Sequence, residues 1–331
     1  MENSIADLLT SCSRIDFGPV NLSEEEKEFS RELNREILWL CKSLPGSTQT
    51  EAALFLLKYL RVSLDDGVNF VRYFYAPAWS ILFWLMKSNP GETRLKQRDI
   101  QNAKTGHTMA MFLHAIDDHL TDQQVPVTHL TLLLRSQSWM LMNNAFSKLA
   151  AALDGGTEIA EHFIDDYYWS VYHSDGLESL DSYCDLFRKQ MATALIVPVL
   201  IAKRKTADEE FARSIQAAYE SFGIAWRLLD DLQDIEKDMM KGIHSSLYIC
   251  LPGEIRTGWD QVKEEKADEN GGSAGQVLNY VLASGIIDRI KQRICSELES
   301  AALKVDSWDM TGFADELRCL LRPLRNGEGR S

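Results

Sequence analysis

Four aspartates lie close together in the stretch "RLLDDLQDIEKDMMKG", residues 227–242. They are Asp230, Asp231, Asp234 and Asp238, with no glycine or proline between them. Residues four apart share one face of a helix, so three of the four form a column with Asp231 beside it. Like charges at that spacing repel, and the negative end of a helix dipole makes the repulsion worse. A bound cation would offset both effects, so the pattern predicts a metal site.

A second acidic cluster lies in "FLHAIDDHLTD", residues 112–122, where Asp118 and Asp122 are four apart and Asp117 is adjacent. Magnesium prefers oxygen ligands and typically takes one or two carboxylates, several waters and substrate phosphate. Two such clusters facing each other across a cavity would form a magnesium site for a diphosphate. A solvated acidic face with nearby basic partners is the alternative for either cluster alone. Matching spacing at the ends of two helices favours the metal site.

The elements that must position these clusters all have helical periodicity. Strand alternation and hairpin turns are missing, and no repeat or long linker divides the chain. Pro77 and Pro198 fall inside apolar runs and should kink those helices. We therefore predict one all-α domain over residues 1–331, a helical bundle whose residues 1–22 are loosely ordered. The predicted helical runs are 23–44, 49–62, 66–88, 97–122, 127–153, 158–174, 178–203, 207–241, 254–266, 275–303 and 309–322.

The acidic cluster at residues 230–238 belongs to a helical run with clear signals at both ends. Thr206 and Glu209 have capping-box spacing at its start, and Gly242 is a natural C-terminal residue. These signals predict a single long helix with its aspartates near the C-terminal end.

Composition narrows the class of partner. A net charge of -14 argues against nucleic acid, because a phosphate backbone requires a basic face. No signal peptide is recognisable, and the most apolar runs, 77–86 and 192–202, are too short to span a bilayer. Six scattered cysteines without a CxxC pair indicate a reducing compartment. We expect a soluble, cytoplasmic protein.

Together these features resemble the isoprenoid synthase superfamily, which contains trans-prenyltransferases and class I terpene synthases. "DDLQDIEKD" is similar to the DDxxDxxxD motif of trans-prenyltransferases and has the spacing of the terpene-synthase triad NDxxSxxxE. "DDHLTD" resembles the longer DDxxxD form of the first motif. The resemblance implies a bundle around a deep central apolar pocket, an allylic prenyl diphosphate substrate, about three Mg²⁺ per site, and a homodimer. It also implies the metal ligands Asp117, Asp118, Asp122, Asp230, Asp231, Asp234 and Asp238.

The chain departs from prenyltransferases where those enzymes hold isopentenyl diphosphate. "VRYFYAPAW" (71–79) has aromatics where lysine and arginine are expected, and Gln123 and Gln124 replace an arginine pair. A second diphosphate needs compensating donors. The pattern therefore favours a class I terpene synthase that ionises one allylic diphosphate and lets the cation cyclise or rearrange. The alternatives are a trans-prenyltransferase with isopentenyl diphosphate or an unusual acceptor, and a non-catalytic regulatory subunit of a prenyl synthase.

Basic and aromatic residues complete the predicted site. Asp118 and Asp230 are the main catalytic candidates. Arg227 and Lys241 lie on or near the carboxylate face, where they could hold diphosphate oxygens or form plain salt bridges. The resemblance places a diphosphate-sensing arginine near Arg188, beside Lys189. Aromatic faces stabilise cations, although aromatic residues on apolar faces are usually just core. The candidates for the pocket are Phe83, Phe112 and Trp226, with Trp79, Trp169, Tyr172 and Trp308 also considered.

Overall fold

The computed structural model describes residues 4–62, 68–91, 95–173, 176–262 and 272–326. All regular structure in these ranges is helical, which confirms the all-α prediction. None of the helices in this described part is both long and apolar enough to cross a bilayer. A 3-10 turn covers Val71–Tyr73. The α-helices are α1 Ile5–Ser13, α2 Glu24–Ser43, α3 Gln49–Tyr59, α4 Pro77–Lys87, α5 Gln97–Thr121, α6 His129–Ala150, α7 Gly156–Tyr172, α8 Leu180–Gln190, α9 Ala192–Lys205, α10 Glu209–Gln233, α11 Ile235–Lys241, α12 Ser246–Cys250, α13 Gly253–Val262, α14 Ser273–Ser284, α15 Ile286–Asp306 and α16 Thr311–Asn326.

Helix α9 lies at the centre of the bundle and is buried on almost every side. Both α4 and α9 pack against α5 and also against α10, so they separate the two helices that carry the aspartates. The outer face of α10 is covered by α15, and α6 covers α5. Because α5 and α10 are held apart, their facing sides are free to line a cavity.

The long run predicted over 207–241 is two helices. The backbone departs from helical geometry at Asp234, where α10 ends and α11 begins. Asp208, not Thr206, caps α10, because its carboxylate accepts the amide hydrogen of Glu210. Gly242 ends α11 with φ +66°, as the sequence predicts, since glycine tolerates the left-handed region.

The N-terminal segment does not match the loosely ordered segment that we expected. Ser4 and Asp7 form a capping box that begins α1, and Leu8, Cys12 and Phe17 are buried in the core. Burial of these apolar side chains holds the segment against the bundle. Pro77 also differs from prediction: it occupies the first turn of α4, where its missing N–H costs nothing. Pro198 does lie inside a helix, α9.

Candidate active site

A cavity of about 440 Å³ lies between the facing sides of α5 and α10. Each helix contributes residues at helical spacing, which follow one stripe towards the aspartates. Neighbouring helices and the turn before α4 close the remaining sides. The lining residues are Met111, His114, Ala115, Asp118 and His119 of α5; Tyr219, Phe222, Gly223, Trp226, Arg227 and Asp230 of α10; and Tyr59, Leu60, Phe70, Tyr73, Phe74, Ala78, Phe187, Met191 and Ala194 from elsewhere.

Asp118 and Asp230 face this cavity from opposite walls and bring the two acidic motifs together. The surrounding protein removes part of their hydration, which raises the pKa of each carboxyl. A neighbouring carboxylate raises it further, Asp122 in the first case and Asp234 in the second, although Arg227 lowers the pKa of Asp230. This combination of partial burial and like charge is what a bound cation would relieve.

Asp117 points away from the cavity. Its two carboxylate oxygens accept hydrogen bonds from Arg135 on α6, at 2.7 Å from Nε and 2.9 Å from Nη2. Adjacent residues on a helix point about 100° apart, so Asp117 and Asp118 cannot share a face. The prediction that Asp117 binds metal is therefore not supported by its position, because its oxygens are already committed to Arg135.

Asp231 is also displaced from the predicted ligand set. It is 1% exposed and accepts hydrogen bonds from Tyr183 Oη at 2.8 Å and from the amide nitrogen of Ser246 at 2.9 Å. Arg227 Nε lies 3.1 Å from its other carboxylate oxygen. Asp231 thus lies behind the cavity wall and pairs with Arg227, so its position does not support the prediction that it binds metal.

The remaining three aspartates lie around the mouth or behind it. Asp122 accepts hydrogen bonds from Lys241 Nζ at 3.1 Å and from Gln124 at 3.2 Å. Asp234 forms an ion pair with Lys237. Asp238 is buried, and burial together with the nearby Asp231 raises its pKa to about 7.

The aspartates do not form a ready-made metal cage. Within the described residues, no three carboxylate, histidine or cysteine side chains converge closely enough to hold an ion. The donor chemistry nevertheless fits Mg²⁺, because the available groups are hard carboxylate oxygens on facing helices. The residues that could hold it are Asp118, Asp122, Asp230 and Asp234. Two of these are paired with lysines in the structure, Asp122 with Lys241 and Asp234 with Lys237.

Two of the predicted basic residues are at the site and two are not. Arg227 lines the cavity, and Lys241 reaches its mouth through Asp122. Arg188 instead faces Asp185 at 2.5 Å, Glu297 at 3.6 Å and Glu220 at 3.9 Å. Lys189 lies near Asp166 at 3.3 Å and above the ring of Trp169. Neither Arg188 nor Lys189 lines the cavity, because α8 turns them towards other helices.

Among the aromatics chosen from sequence, only Trp226 lines the cavity. Phe112 is fully buried behind Phe70, and Phe83 packs against Phe29 and Trp84. Trp169 and Tyr172 are largely exposed, and Trp308 packs against Phe211. Sequence reasoning missed the aromatic lining residues Tyr59, Phe70, Tyr73, Phe74, Phe187, Tyr219 and Phe222. The stripe that precedes Asp230 on α10 could have identified the last two.

A larger groove of about 1030 Å³ lies outside α2, between residues 16–22 and the turn before α4. It shares Phe74 with the cavity, but no aspartate of either acidic motif lines it. Chemistry therefore favours the smaller cavity as the active site, in spite of the groove's greater volume.

No family model matches the chain, and no curated protein sequence matches it. Solved structures do resemble it along almost their whole length. Geranylgeranyl pyrophosphate synthase from Corynebacterium glutamicum is 12% identical with a TM-score of 0.62 and 96% of each chain covered. Polyprenyl synthetase from Streptomyces coelicolor is 13% identical with a TM-score of 0.63, covering 89% of this chain and 98% of its own. Geranylgeranyl pyrophosphate synthetase from the archaeon Geoglobus acetivorans is 16% identical with a TM-score of 0.59, covering 91% of this chain and 97% of its own.

These likenesses confirm the predicted fold: the chain has the all-α fold of the synthases named above. The Corynebacterium enzyme has also been solved with isoprenyl diphosphate and magnesium, and with isoprenyl diphosphate and calcium. The similar structures named here are those of geranylgeranyl pyrophosphate and polyprenyl synthases, and at 12–16% identity the likeness concerns the fold.

Proposed function

We propose that this chain is a magnesium-dependent enzyme that ionises an allylic prenyl diphosphate. The observation that carries the proposal is that Asp118 on α5 and Asp230 on α10 face one largely apolar cavity from opposite sides. Asp122 and Asp234 extend the two carboxylate columns beyond it. These four residues would hold Mg²⁺, and the resemblance implies about three ions. When bound, Mg²⁺ would neutralise the charge of the leaving diphosphate.

The protein's own residues orient the substrate and protect the cation. Arg227 presents its guanidinium beside Asp230, held by Asp231 and by Tyr183 Oη at 2.8 Å, and can donate to diphosphate oxygens. Trp226 and Phe222 turn aromatic rings towards the cavity, where the ring quadrupole stabilises positive charge. Apolar walls exclude water that would otherwise capture the cation.

The charges of the cavity support a reaction with one diphosphate. Arg227 is the one arginine or lysine among the lining residues that the structure describes. Tyr73 lies in the stretch 71–79, where the resemblance to prenyltransferases leads us to expect lysine and arginine. Gln124, which replaces one of an expected arginine pair, donates a hydrogen bond to Asp122. A second diphosphate would meet few compensating donors. This favours the terpene-synthase outcome, in which the cation cyclises or rearranges within the cavity.

The second candidate is a trans-prenyltransferase, and the comparisons favour it because the similar structures are prenyl diphosphate synthases. Hydrogen-bonding groups other than lysine and arginine line the cavity beside Asp118, with Tyr59 Oη 2.7 Å from His119 Nδ1. Such groups suit an acceptor that carries less charge than isopentenyl diphosphate. Both candidates share the ionisation step and differ in the fate of the cation.

One set of incubations tests the function and separates the candidates. The purified protein and Mg²⁺ are incubated with geranyl, farnesyl or geranylgeranyl diphosphate, each with and without isopentenyl diphosphate. Released diphosphate and organic products are measured. A hydrocarbon or alcohol from one substrate alone supports the terpene synthase. A longer linear diphosphate formed only in the mixture supports the prenyltransferase. Absence of both Mg²⁺-dependent diphosphate binding and turnover contradicts the proposal and favours the regulatory subunit.

We also propose that the chain forms a homodimer through the outer face of α6 and α7. Large apolar side chains are exposed there, with Met140 at 63% and Tyr172 at 79%. Trp139 of α6 and Tyr168 of α7 are in ring contact, so the exposed residues of the two helices lie on adjoining surfaces. Exposed apolar patches of this kind mark interaction sites in soluble proteins. A second copy of the chain would bury the same patch on both partners.

A further inference from the structure

The walls formed by α5 and α10 carry different side chains at the same level of the cavity. On α10, Trp226 precedes Asp230 by four residues, and on α5, His114 precedes Asp118 by four. Both Trp226 and His114 line the cavity. Each lies one helical turn, roughly 6 Å, below the carboxylate of its own helix. An indole ring and an imidazole ring therefore occupy opposite walls directly below the two acidic motifs.

A hydrogen bond holds the His114 ring against α9. Its Nε2 lies 2.8 Å from Oγ1 of Thr193, which is buried. The ring also makes a perpendicular contact with Tyr167 of α7, with the ring centres 5.8 Å apart. The other ring nitrogen, Nδ1, has no hydrogen-bond partner within the described ranges and is not among the fully buried unpartnered atoms found there. Because His114 lines the cavity, Nδ1 is accessible from it.

The imidazole of His114 is neutral at neutral pH. Burial lowers its pKa to about 4, although the negative charge of Asp117 opposes this shift. A neutral imidazole carries a proton on one nitrogen and a lone pair on the other. Thr193 Oγ1 can accept a hydrogen bond from Nε2–H, and the lone pair is then on Nδ1. A protonated ring would repel a carbocation, whereas this neutral ring can accept a proton from it.

Every outcome of the proposed reaction that forms a carbon–carbon double bond ends with loss of a proton from carbon. Hydrogen atoms next to a cationic carbon are far more acidic than an imidazolium, so a weak base is sufficient. The other basic groups of the cavity wall are less suited to this step. Asp118 and Asp230 lie at the level of the metal ions, and His119, beside Asp118, has its Nδ1 2.7 Å from Tyr59 Oη.

We propose that His114 is the base that ends the reaction, by accepting a proton from the carbocation at Nδ1. The C–H bond breaks, its electron pair forms the double bond of the product, and the proton binds Nδ1. Nε2–H donates to Thr193 Oγ1 throughout, and the imidazolium returns its proton to water when the product leaves. The inference rests on the proposed function. It makes His114 a catalytic residue and Thr193 a positioning residue.

The position of this base also limits the reaction. His114 faces Trp226, whose ring stabilises positive charge at the level where the cation forms. A base at that level removes the proton before the cation has passed through many rearrangements. We therefore expect wild type to give one main olefinic product, formed from an early cation.

The first test does not depend on turnover. Nitrogen-15 NMR of the histidine rings shows which ring nitrogen carries the proton, and the His114 signals are assigned by their loss in His114→Gln. They are assigned by their shift in Thr193→Val if the glutamine variant does not fold. At neutral pH, His114 should carry its proton on Nε2. A proton on Nδ1 would overturn the inference, because the nitrogen that is open to the cavity would then have no lone pair.

The second test measures products. Wild type, His114→Gln and Thr193→Val are incubated with Mg²⁺ and the substrates that wild type accepts, and the main olefinic product is compared with the diphosphate released. In His114→Gln, which loses the base, diphosphate release should stay within about threefold of wild type, since ionisation does not need His114. The share of that diphosphate matched by the wild-type olefin should fall about tenfold or more, in favour of alcohols or further rearranged products. Thr193→Val should shift the products in the same direction by a smaller factor.

His129→Gln is the matched control, because His129 is exposed at the start of α6 and its replacement should change nothing. Calorimetry with Mg²⁺ and an unreactive thiolodiphosphate analogue should show unchanged affinity in all variants. An unchanged olefin share in His114→Gln would mean that another group, such as the diphosphate itself, accepts the proton. That result, or an alcohol as the sole wild-type product, overturns the inference. Failure of wild type to release diphosphate from any substrate instead overturns the proposed function.

Discussion

Lys241 Nζ lies 3.1 Å from the carboxylate of Asp122, so the end of α11 is tied to the end of α5 across the mouth of the cavity. The ion pair joins the two acidic motifs directly. It places a positive charge where a metal ion or a diphosphate would otherwise compete for the same carboxylate.

Removing Lys241 should make the metal site easier to fill. In Lys241→Gln, Mg²⁺ no longer competes with an ammonium group for Asp122, so the Mg²⁺ concentration that gives half of the thermal shift should fall about two- to fivefold. Diphosphate binding in saturating Mg²⁺ should weaken, because a donor at the mouth is lost. Lys148→Gln makes the same charge change at an exposed position of α6 and should alter neither value.

Neutralising either facing aspartate should abolish function without harming the fold. Asp118→Asn and Asp230→Asn each remove a metal-ligand charge, and we expect turnover to fall by orders of magnitude. The melting temperature without Mg²⁺ should stay level or rise, since like-charge repulsion is relieved. Asp288→Asn, an exposed change on α15, is the control. If both aspartate variants were as active as wild type at saturating Mg²⁺, a site formed by the two acidic motifs would be ruled out.

Arg188→Ala should lower stability more than diphosphate affinity. Arg188 is surrounded by Asp185, Glu220 and Glu297, and its removal leaves partly buried carboxylates without that partner. The expected cost in free energy of unfolding is roughly 1–3 kcal/mol. Chemical denaturation and calorimetry with inorganic diphosphate and Mg²⁺ measure the two effects. Unchanged stability with a large loss of diphosphate affinity would restore the sensing role implied by the resemblance.

Glu316 should make stability depend on pH far from the active site. Burial raises the pKa of this carboxyl to about 8 from its ordinary 4.5, against the hydrogen bonds from Ser80 and Trp84. The unfolded chain therefore loses this proton at lower pH than the native protein, and the free energy of unfolding should fall as pH rises from 4.5 to 8. Above pH 8 this contribution should level off.

Glu316→Gln should remove that slope, because glutamine does not titrate. Urea unfolding at several pH values compares wild type, Glu316→Gln and the exposed control Glu51→Gln, which should behave as wild type. Parallel pH profiles for all three proteins would contradict the raised pKa.

A charge placed on the α6 and α7 face should separate the dimer. In Tyr172→Glu and Met140→Glu, two carboxylates would be buried for each change at a symmetric interface, at high desolvation cost. Sedimentation velocity should show monomers for these variants and dimers for wild type. Leu54→Glu alters an exposed apolar residue of α3 and should leave the dimer intact. A monomeric wild type would overturn the homodimer proposal.

Local periodicity predicted an all-α chain, although the runs predicted at 178–203, 207–241 and 275–303 are each two helices. It also identified Asp118 and Asp230, which line one cavity. Helical geometry also predicts that Asp117 points about 100° away from Asp118, and Asp231 about 100° away from Asp230. The prediction of seven metal ligands did not use this. The partners of Asp117 and Asp231, Arg135 and Tyr183, come from other helices. Which partner meets them depends on helix packing, and sequence spacing gives no information about it.

Arg188 illustrates the same limit more strongly. Its distance from the second motif along the chain suggests a role at the diphosphate, but α8 ends at Gln190 and its rotation directs the guanidinium to α10 and α15. Met191 and Gly223 are likewise thirty-two positions apart in the sequence, yet they pack against each other in the cavity wall. Tertiary contacts of this kind decide which residues of a correctly predicted helix reach the site.

Pro198 inside α9 removes one backbone hydrogen bond beside the cavity. Proline has no N–H, so the carbonyl of Ala194 lacks the donor that a helix normally supplies four residues later. Ala194 lines the cavity, so this interruption lies in the part of α9 that forms the cavity wall. Replacing Pro198 by alanine would restore the hydrogen bond and strengthen the part of the helix that holds this wall in place.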